Sequence, residues 1–264
     1  LATGTLAAGG TLGILIPPSV NLLVYGSLAN VSVGKLFMAG ILPGLGLAAC
    51  FSIYIFVVHR SGANGGATTV IPLRERIALL RHLIPPFVIF LIVMGSIYGG
   101  LATPTESAAL GVTAALAIAW WSGRLSLSLL ATCSYLAART TGMVVIVLVC
   151  ALLLNVSISM LGAAQEVTRW VTDLGLDRFG LLLVLMLFYL ILGMFMDAMS
   201  MLVLTVPIAV PVVVAVGVDP IWFGIFIVIM CEIALITPPV GMNLFVVQGI
   251  RRDGGSFTDV AWGS

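Results

Sequence analysis

The chain has 264 residues, of which 61% are hydrophobic and 8% charged, with a mean hydropathy of +1.24 and a net charge of +1. Soluble domains carry about 25% charged residues, so this composition excludes a soluble globular domain and identifies an integral membrane protein lying in a lipid bilayer. No dense basic stretch is interleaved with aromatics, and nothing suggests nucleic acid. Cys50, Cys133, Cys150 and Cys231 are far apart without metal-ligand spacing, and read as packing residues.

Leu1 opens the sequence without methionine or signal peptide and already lies inside an apolar stretch, as expected of a fragment. Gly9 to Tyr25, GGTLGILIPPSVNLLVY, is an apolar run cut in its middle by Pro17-Pro18, with Gly13 before the cut and Ser19 and Asn21 after it. Proline lacks a backbone donor and blocks a continuous helix. In hydrocarbon the freed polar groups are costly, so such a break is tolerated where it faces protein, a cavity or a bound ion. The polar run from Ala29 to Lys35 is a loop, and Leu36 to Val58 follows uncharged for about a bilayer crossing. His59 to His82 carries Arg60, Arg74, Arg76 and Arg81 against Glu75 and reads as a linker.

Ile84 to Leu101 is a second span and Ser107 to Trp121 a third. Between them, Thr103 at the N-cap, Pro104 at N1 and Glu106 at N3 predict a capping box, which explains Glu106 better than an ion-ligand role does. Leu125 to Ala138 is short and moderately apolar between Arg124 and Arg139, and is predicted to lie along the membrane surface. Thr140 to Leu161 is a fourth span. Gly162 to Arg178, with Glu166, Arg169, Asp173 and Asp177, belongs in water or at the interface. Phe179 to Phe195 and Met201 to Val216 flank Asp197 and Ser200. A lone acid there is either a solvent loop or a functional group, and at membrane depth the functional reading is the default.

The broken pattern then returns. Ile233 to Gly249, IALITPPVGMNLFVVQG, has Thr237, Pro238-Pro239, Gly241 and Asn243. Pro17 matches Pro238, Gly26 matches Gly249, and Val33 to Leu36 roughly match Phe257 to Val260. Two broken apolar segments in corresponding positions of two halves point to the binding site of a secondary transporter. With the linker cytoplasmic, the tally is eight arginines inside (60, 74, 76, 81, 124, 139, 251 and 252) against Lys35, Arg169 and Arg178 outside. The first broken segment then runs outward and the second inward. The expected division is 1–58 as the remainder of a first inverted repeat, 59–82 as a cytoplasmic linker, and 83–264 as a second repeat. That second repeat is expected to hold a hairpin at 179–217, re-entrant or else with Asp197 in a cytoplasmic loop, and a broken helix at 221–250. A span matching the one after Leu36 is expected beyond Ser264.

Each feature has a plainer explanation. A single Pro-Pro break is more often a structural kink, with Asn or Ser satisfying the freed backbone; two matched breaks favour a site. An intramembrane enzyme would need a catalytic set, and there is neither HExxH nor GxSxG, while His59 and His82 both lie in the linker. Broken helices also line channel filters, and a non-transporting structural subunit is a further alternative.

Four stretches together resemble the large membrane subunit of the tripartite ATP-independent periplasmic (TRAP) transporters: GTLGILIPPS at Gly10 to Ser19, YGGLATPTESAALGV at Tyr98 to Val112, GMFMDAMSMLVLTVPI at Gly193 to Ile208, and ITPPVGMNLFVVQGI at Ile236 to Ile250. They stand in the family's order. The resemblance implies an all-α polytopic membrane protein with an inverted-repeat, ion-transporter-like elevator fold of re-entrant hairpins and broken helices. It implies a sodium-coupled importer of a small carboxylate in the bacterial inner membrane. A periplasmic substrate-binding protein and a small membrane (Q) subunit would be its partners, with sodium as coupling ion and no other metal or cofactor. The first broken helix would hold Pro17, Pro18 and Ser19, the second Thr237, Pro238, Pro239 and Asn243, and the hairpin tip Asp197 and Ser200. Gly13 and Asn21 complete the candidate set. The family's first hairpin lies upstream of the PPS segment, so this chain would hold part of the first half-site.

Overall fold

The structure is a computed structural model that describes residues 2–60, 75, 80–173, 175, 177–237 and 241–250. The described residues fold into helices. In chain order these are α1 (Ala2–Leu15), α2 (Val20–Leu28), α3 (Val33–Arg60), α4 (Ile84–Tyr98, after a 3-10 turn at Arg81–Leu83) and α5 (Pro104–Trp121). They continue with α6 (Leu127–Met160), α7 (Ala163–Asp173), α8 (Arg178–Gly193), α9 (Ala198–Ala215), α10 (Pro220–Ile236) and α11 (Met242–Ile250). Most of the linker, Pro238-Pro239, and the positions matched at 257–260 lie outside the described residues.

Helix starts are written locally. Ser19, Thr103, Asp177, Asp197 and Asp219 each stand in extended backbone and accept a hydrogen bond from an amide of the first turn. Such caps satisfy donors that a helix leaves free, and in lipid no water replaces them. The capping box forms as expected: the Thr103 amide donates to Glu106 Oε2 at 2.7 Å, and the Glu106 amide donates to Thr103 Oγ1 at 3.4 Å.

Among the described residues, four helical segments are long and apolar enough to cross a membrane: Val33–Val58, Arg81–Tyr98, Leu127–Met160 and Ala198–Ala215. Thr5–Leu15 and Val20–Leu28 form a further pair bent by 40°. The chain is therefore a multi-pass membrane protein, all-α in its described parts.

The residues group into two compact units, 1–64 with 147–264, and 65–146. In the smaller unit α4 packs on α5. The Ser96 hydroxyl donates to Ser107 Oγ at 2.8 Å, and a Cβ on Gly111 would stand 2.8 Å from Val93 Cγ2. In the larger unit α10 is the hub, with ten of its seventeen residues buried. It packs against α1, α2, α3, α8, α9 and α11. Two glycines one turn apart, Gly40 and Gly44 of α3, let that helix meet the end of α1 closely. Cβ atoms there would lie 3.1 Å from the Leu15 carbonyl oxygen and 2.9 Å from Ile16 Cγ1, the small-residue packing that brings membrane helices together.

Two expectations change. Leu125–Ala138 is not a separate surface helix: it continues into the expected fourth span as one helix, α6, of 34 residues. At 1.5 Å per residue that is about 51 Å, longer than a bilayer core of about 30 Å. No glycine or proline stands between Leu127 and Arg139 to break it. Of the four cysteines read as packing residues, Cys231 is buried and the others are exposed. Among the described residues no group of His, Cys, Asp and Glu could hold a metal ion.

Candidate functional site

The first break is built from its own residues. Pro17 supplies no amide for the Gly13 carbonyl, and Pro18 supplies none for that of Ile14. The Ser19 hydroxyl takes over the second of these, donating to the Ile14 carbonyl oxygen, while its oxygen accepts from the Leu22 amide at 3.4 Å. Ser19 thus closes one helix and opens the next. It is 3% exposed, and Asn21, the second residue of α2, is 8% exposed. The Pro17-Pro18 peptide is cis. Pro17 is buried, whereas Pro18 and Gly13 are exposed, and nothing lies within 4 Å of a Cβ placed on Gly13.

At the second break, Thr237 ends α10 and is half-buried. Its hydroxyl donates back to the Ile233 carbonyl oxygen at 2.6 Å. Gly241 has a φ of +37°, in the region that favours glycine, and its carbonyl oxygen accepts from the Leu244 amide at 2.7 Å as α11 begins. Pro238 and Pro239 lie outside the described residues.

The two broken segments run antiparallel. The Tyr25 hydroxyl, late in α2, donates to the carbonyl oxygen of Pro220, the first residue of α10. Its ring covers Gly224, where any Cβ would overlap it. Leu15, the end of α1, stands at Glu232. Ala7 accepts from Asn243 Nδ2 at 3.4 Å through its carbonyl oxygen, and a Cβ on Gly10 would lie 3.6 Å from the same nitrogen. As numbers fall along the first segment they rise along the second. Leu15, before the first break, thus meets a continuous stretch of α10, and Asn243, past the second, meets a continuous stretch of α1 and ties the two segments together.

The turn between α8 and α9 closes on the same part of α10. Gly193 is pressed against Ala234, with no room for a Cβ, and Cys231 Sγ approaches the Ala198 carbonyl oxygen at 3.8 Å. Asp197 is half-buried and caps α9: its Oδ2 accepts from the amides of Met199 at 3.0 Å and Ser200 at 3.2 Å, and its Oδ1 from the exposed Ser200 hydroxyl. This capping use is a third one, beside the solvent loop and the functional acid considered from sequence. The hairpin tip, the end of α1 and the second break are thus gathered around the last two turns of α10.

Sequence reasoning passed over Glu232. It is the acid of an otherwise apolar helix, one turn ahead of the second break, and it is 2% exposed. The signal was a single charge inside α10. A separate cleft of about 390 Å³ lies between α6, α7 and α9, lined by Asn155, Ser159, Arg169, Pro207 and neighbours. It holds none of the candidate site residues. Arg169 pairs there with Glu166 at 3.2 Å, both exposed, as suits an interfacial α7.

The model of the family described as "Tripartite ATP-independent periplasmic transporter, DctM component" matches residues 1–263. The C4-dicarboxylate TRAP transporter large permease protein DctM of Pseudomonas aeruginosa is 37% identical over 248 residues, covering 94% of this chain and 58% of that protein. The isethionate TRAP transporter permease protein DctMQ of Oleidesulfovibrio alaskensis is 35% identical, covering 94% of this chain and 39% of that protein. The sialic acid TRAP transporter large permease protein SiaM of Vibrio cholerae is 32% identical, covering 94% and 58%. The chain spans less than two thirds of the length of each of these relatives, which are named as permease components rather than enzymes. An antiparallel pair of broken helices, a capped hairpin tip and a match along almost all its length agree: the chain belongs to the DctM family of TRAP transporter large permease components.

Proposed function

We propose that the complete protein imports a small organic acid, a carboxylate, by sodium-coupled, elevator-type alternating access. In this reading a periplasmic binding protein delivers the solute and a small membrane subunit braces the permease. The observation that carries the reading is the antiparallel pair of broken helices with a hairpin tip gathered at the end of α10. An inverted pair inside one chain suits alternating access, because opening toward one side closes the equivalent path to the other. The printed names of the relatives, which include C4-dicarboxylate, isethionate and sialic acid, support an organic anion.

The chemistry of each part follows. Sodium is a hard cation that takes oxygen ligands, and the Gly13 carbonyl, left without its helical donor by Pro17, is one such oxygen. The Ser19 hydroxyl and the side-chain oxygen of Asn21 are others nearby in sequence, and Thr237 offers a hydroxyl at the second break. A substrate carboxylate is drawn to half-helix N-termini, which are positive by their dipole. Of these, the start of α9 is already occupied by the Asp197 carboxylate, so the anion belongs at the starts of α2 and α11, where Ser19 and Asn243 stand. The division into two compact units is compatible with one carrying the site while the other is the scaffold.

The test is reconstitution of the complete protein in liposomes with its binding protein and small subunit. Uptake of a radiolabelled dicarboxylate that saturates, needs an inward sodium gradient and stops when the binding protein is omitted supports the proposal. Flux that is non-saturable and indifferent to sodium makes the protein a channel instead.

A further inference from the structure

Glu232 belongs to none of the groups assigned above. Neither of its carboxyl oxygens has a hydrogen-bond partner, although both are enclosed. The carboxyl faces the Leu15 backbone at a geometry that falls short of a hydrogen bond. Among the described side chains, the helices packed on α10 bring no cation to it. Among the described side chains α1 and α11 carry no titratable group, and α2 brings Tyr25, whose hydroxyl is engaged by Pro220. From α8 comes Tyr189, which donates to Thr205 Oγ1 at 3.0 Å. Asp197 caps α9, and Asp219 and Cys231 belong to α10 itself. Lys35, Arg60 and Arg178 stand exposed near the ends of α3 and α8, and α3 adds the exposed Cys50 and Tyr54.

An ionised carboxylate enclosed without a partner is strongly disfavoured. A metal ion would need several oxygens converging on it, whereas the described geometry offers the carboxyl and one backbone unit. A proton needs neither space nor further ligands. We propose that Glu232 is a proton-binding site at the heart of the broken-helix pair, occupied while α1 and α10 are packed as described. It is emptied when their separation admits water. Proton binding therefore favours the packed arrangement over any opened or unfolded one, whatever solute the protein carries.

The sign of the effect follows. The packed state holds a proton that an exposed glutamate releases above about pH 4.3, so stability falls as pH rises beyond that value. The test is thermal unfolding of the complete protein in detergent between about pH 5 and about pH 9, the range in which a retained proton becomes costly. Wild type should lose Tm progressively across it. Glu232→Gln, neutral and nearly isosteric, should fold with a Tm at least equal to wild type at the alkaline end and lack this component of the decline. An identical pH profile in the two proteins overturns the proposal. So does a sodium-induced rise in Tm that wild type shows and Glu232→Gln loses, because the group is then a cation ligand. Should Glu232→Gln not fold, infrared spectroscopy of wild type decides. A protonated-carboxyl C=O band present at neutral pH and shifted in Glu232→Asp supports the site, and its absence removes it.

Discussion

The two breaks share their punctuation but not their surroundings. At the first, Pro17 and Ser19 are buried, Ser19 bonds both helices, and Gly40 and Gly44 press α3 against Leu15 and Ile16. At the second, Thr237 is half-buried and spends its hydroxyl on its own helix, and Gly241 takes a left-handed backbone to restart the chain. The matched glycines diverge further. A Cβ on Gly26 would press on Val33, Leu36 and the Val31 carbonyl, whereas one on Gly249 would meet nothing within 4 Å among the described residues. A proline pair dictates only that the helix must stop. What supports the interruption is set by the neighbours that fold back on it, and a sequence repeat does not copy those.

The largest expected effect comes from healing a break. Replacing Pro238-Pro239 with Ala-Ala restores two amide donors and favours a continuous helix by roughly 3 kcal/mol per proline. If the interruption is kept for binding, Tm rises while sodium-dependent uptake per folded molecule collapses, the trade expected of strain held for function. At Pro17-Pro18 the same change sets a continued helix against the Ser19 cap and the α3 contact, so uptake and Tm should fall together. Melting curves with and without sodium, run beside uptake, check both. Full specific uptake with an intact sodium response in the Pro238-Pro239 variant would falsify the binding role of the second break.

The glycine pair sharpens the contrast. Gly26→Ala drives a methyl group to within 2.9 Å of Val33 Cγ2 and should cost about 1–3 kcal/mol, the usual penalty of overpacking. Gly249→Ala meets open space within α11 and should gain up to about 1 kcal/mol from helix propensity. Equal effects on chemical or thermal stability would mean that the two glycines are equivalent after all.

Much of this was readable in advance because its causes are local. The helix start at Thr103 follows from a hydroxyl placed to accept a first-turn amide, and the breaks follow from the missing proline donors; the caps at Ser19 and Asp197 are equally local but were not read from the sequence. The unbroken α6 was not readable. Arg139 marked an end by charge, yet the helix that begins at Leu127 runs through it to Met160, and charge does not stop a helix. Glu232 was missed because burial is a tertiary property: the sequence displays one acid in an apolar run, and only the packing of α1 on α10 encloses it. The antiparallel register likewise rests on contacts more than two hundred residues apart, such as Asn243 with Ala7.

A smaller effect tests the buried cap at the first break. Ser19→Ala removes the oxygen that receives the Leu22 amide and leaves the Ile14 carbonyl without its hydroxyl donor. A loss of about 1 kcal/mol, typical of an N-cap, is expected in equilibrium unfolding. Ser19→Thr should retain most of it. If Ser19 also contacts the coupling ion, Ser19→Ala lowers sodium affinity while Ser19→Thr restores it, a difference that capping energy does not produce.

The smallest stability change should come at the hairpin tip, and it is the most informative about Asp197. Asparagine is as good an N-cap as aspartate, and its side-chain oxygen can still accept the amides of Met199 and Ser200. Asp197→Asn should therefore leave Tm nearly unchanged while removing one negative charge beside the end of α10. If the carboxylate serves sodium, the half-saturating sodium concentration rises several-fold or uptake is lost, with the amount of folded protein constant. Asp197→Ala then separates capping from charge: it should lower Tm by an N-cap's worth, about 1 kcal/mol, in addition to the transport defect. Unchanged uptake and sodium affinity in Asp197→Asn, together with a lower Tm in Asp197→Ala, would restrict Asp197 to holding the first turn of α9. The cation site would then belong to the breaks, whose freed carbonyls carry no charge to remove.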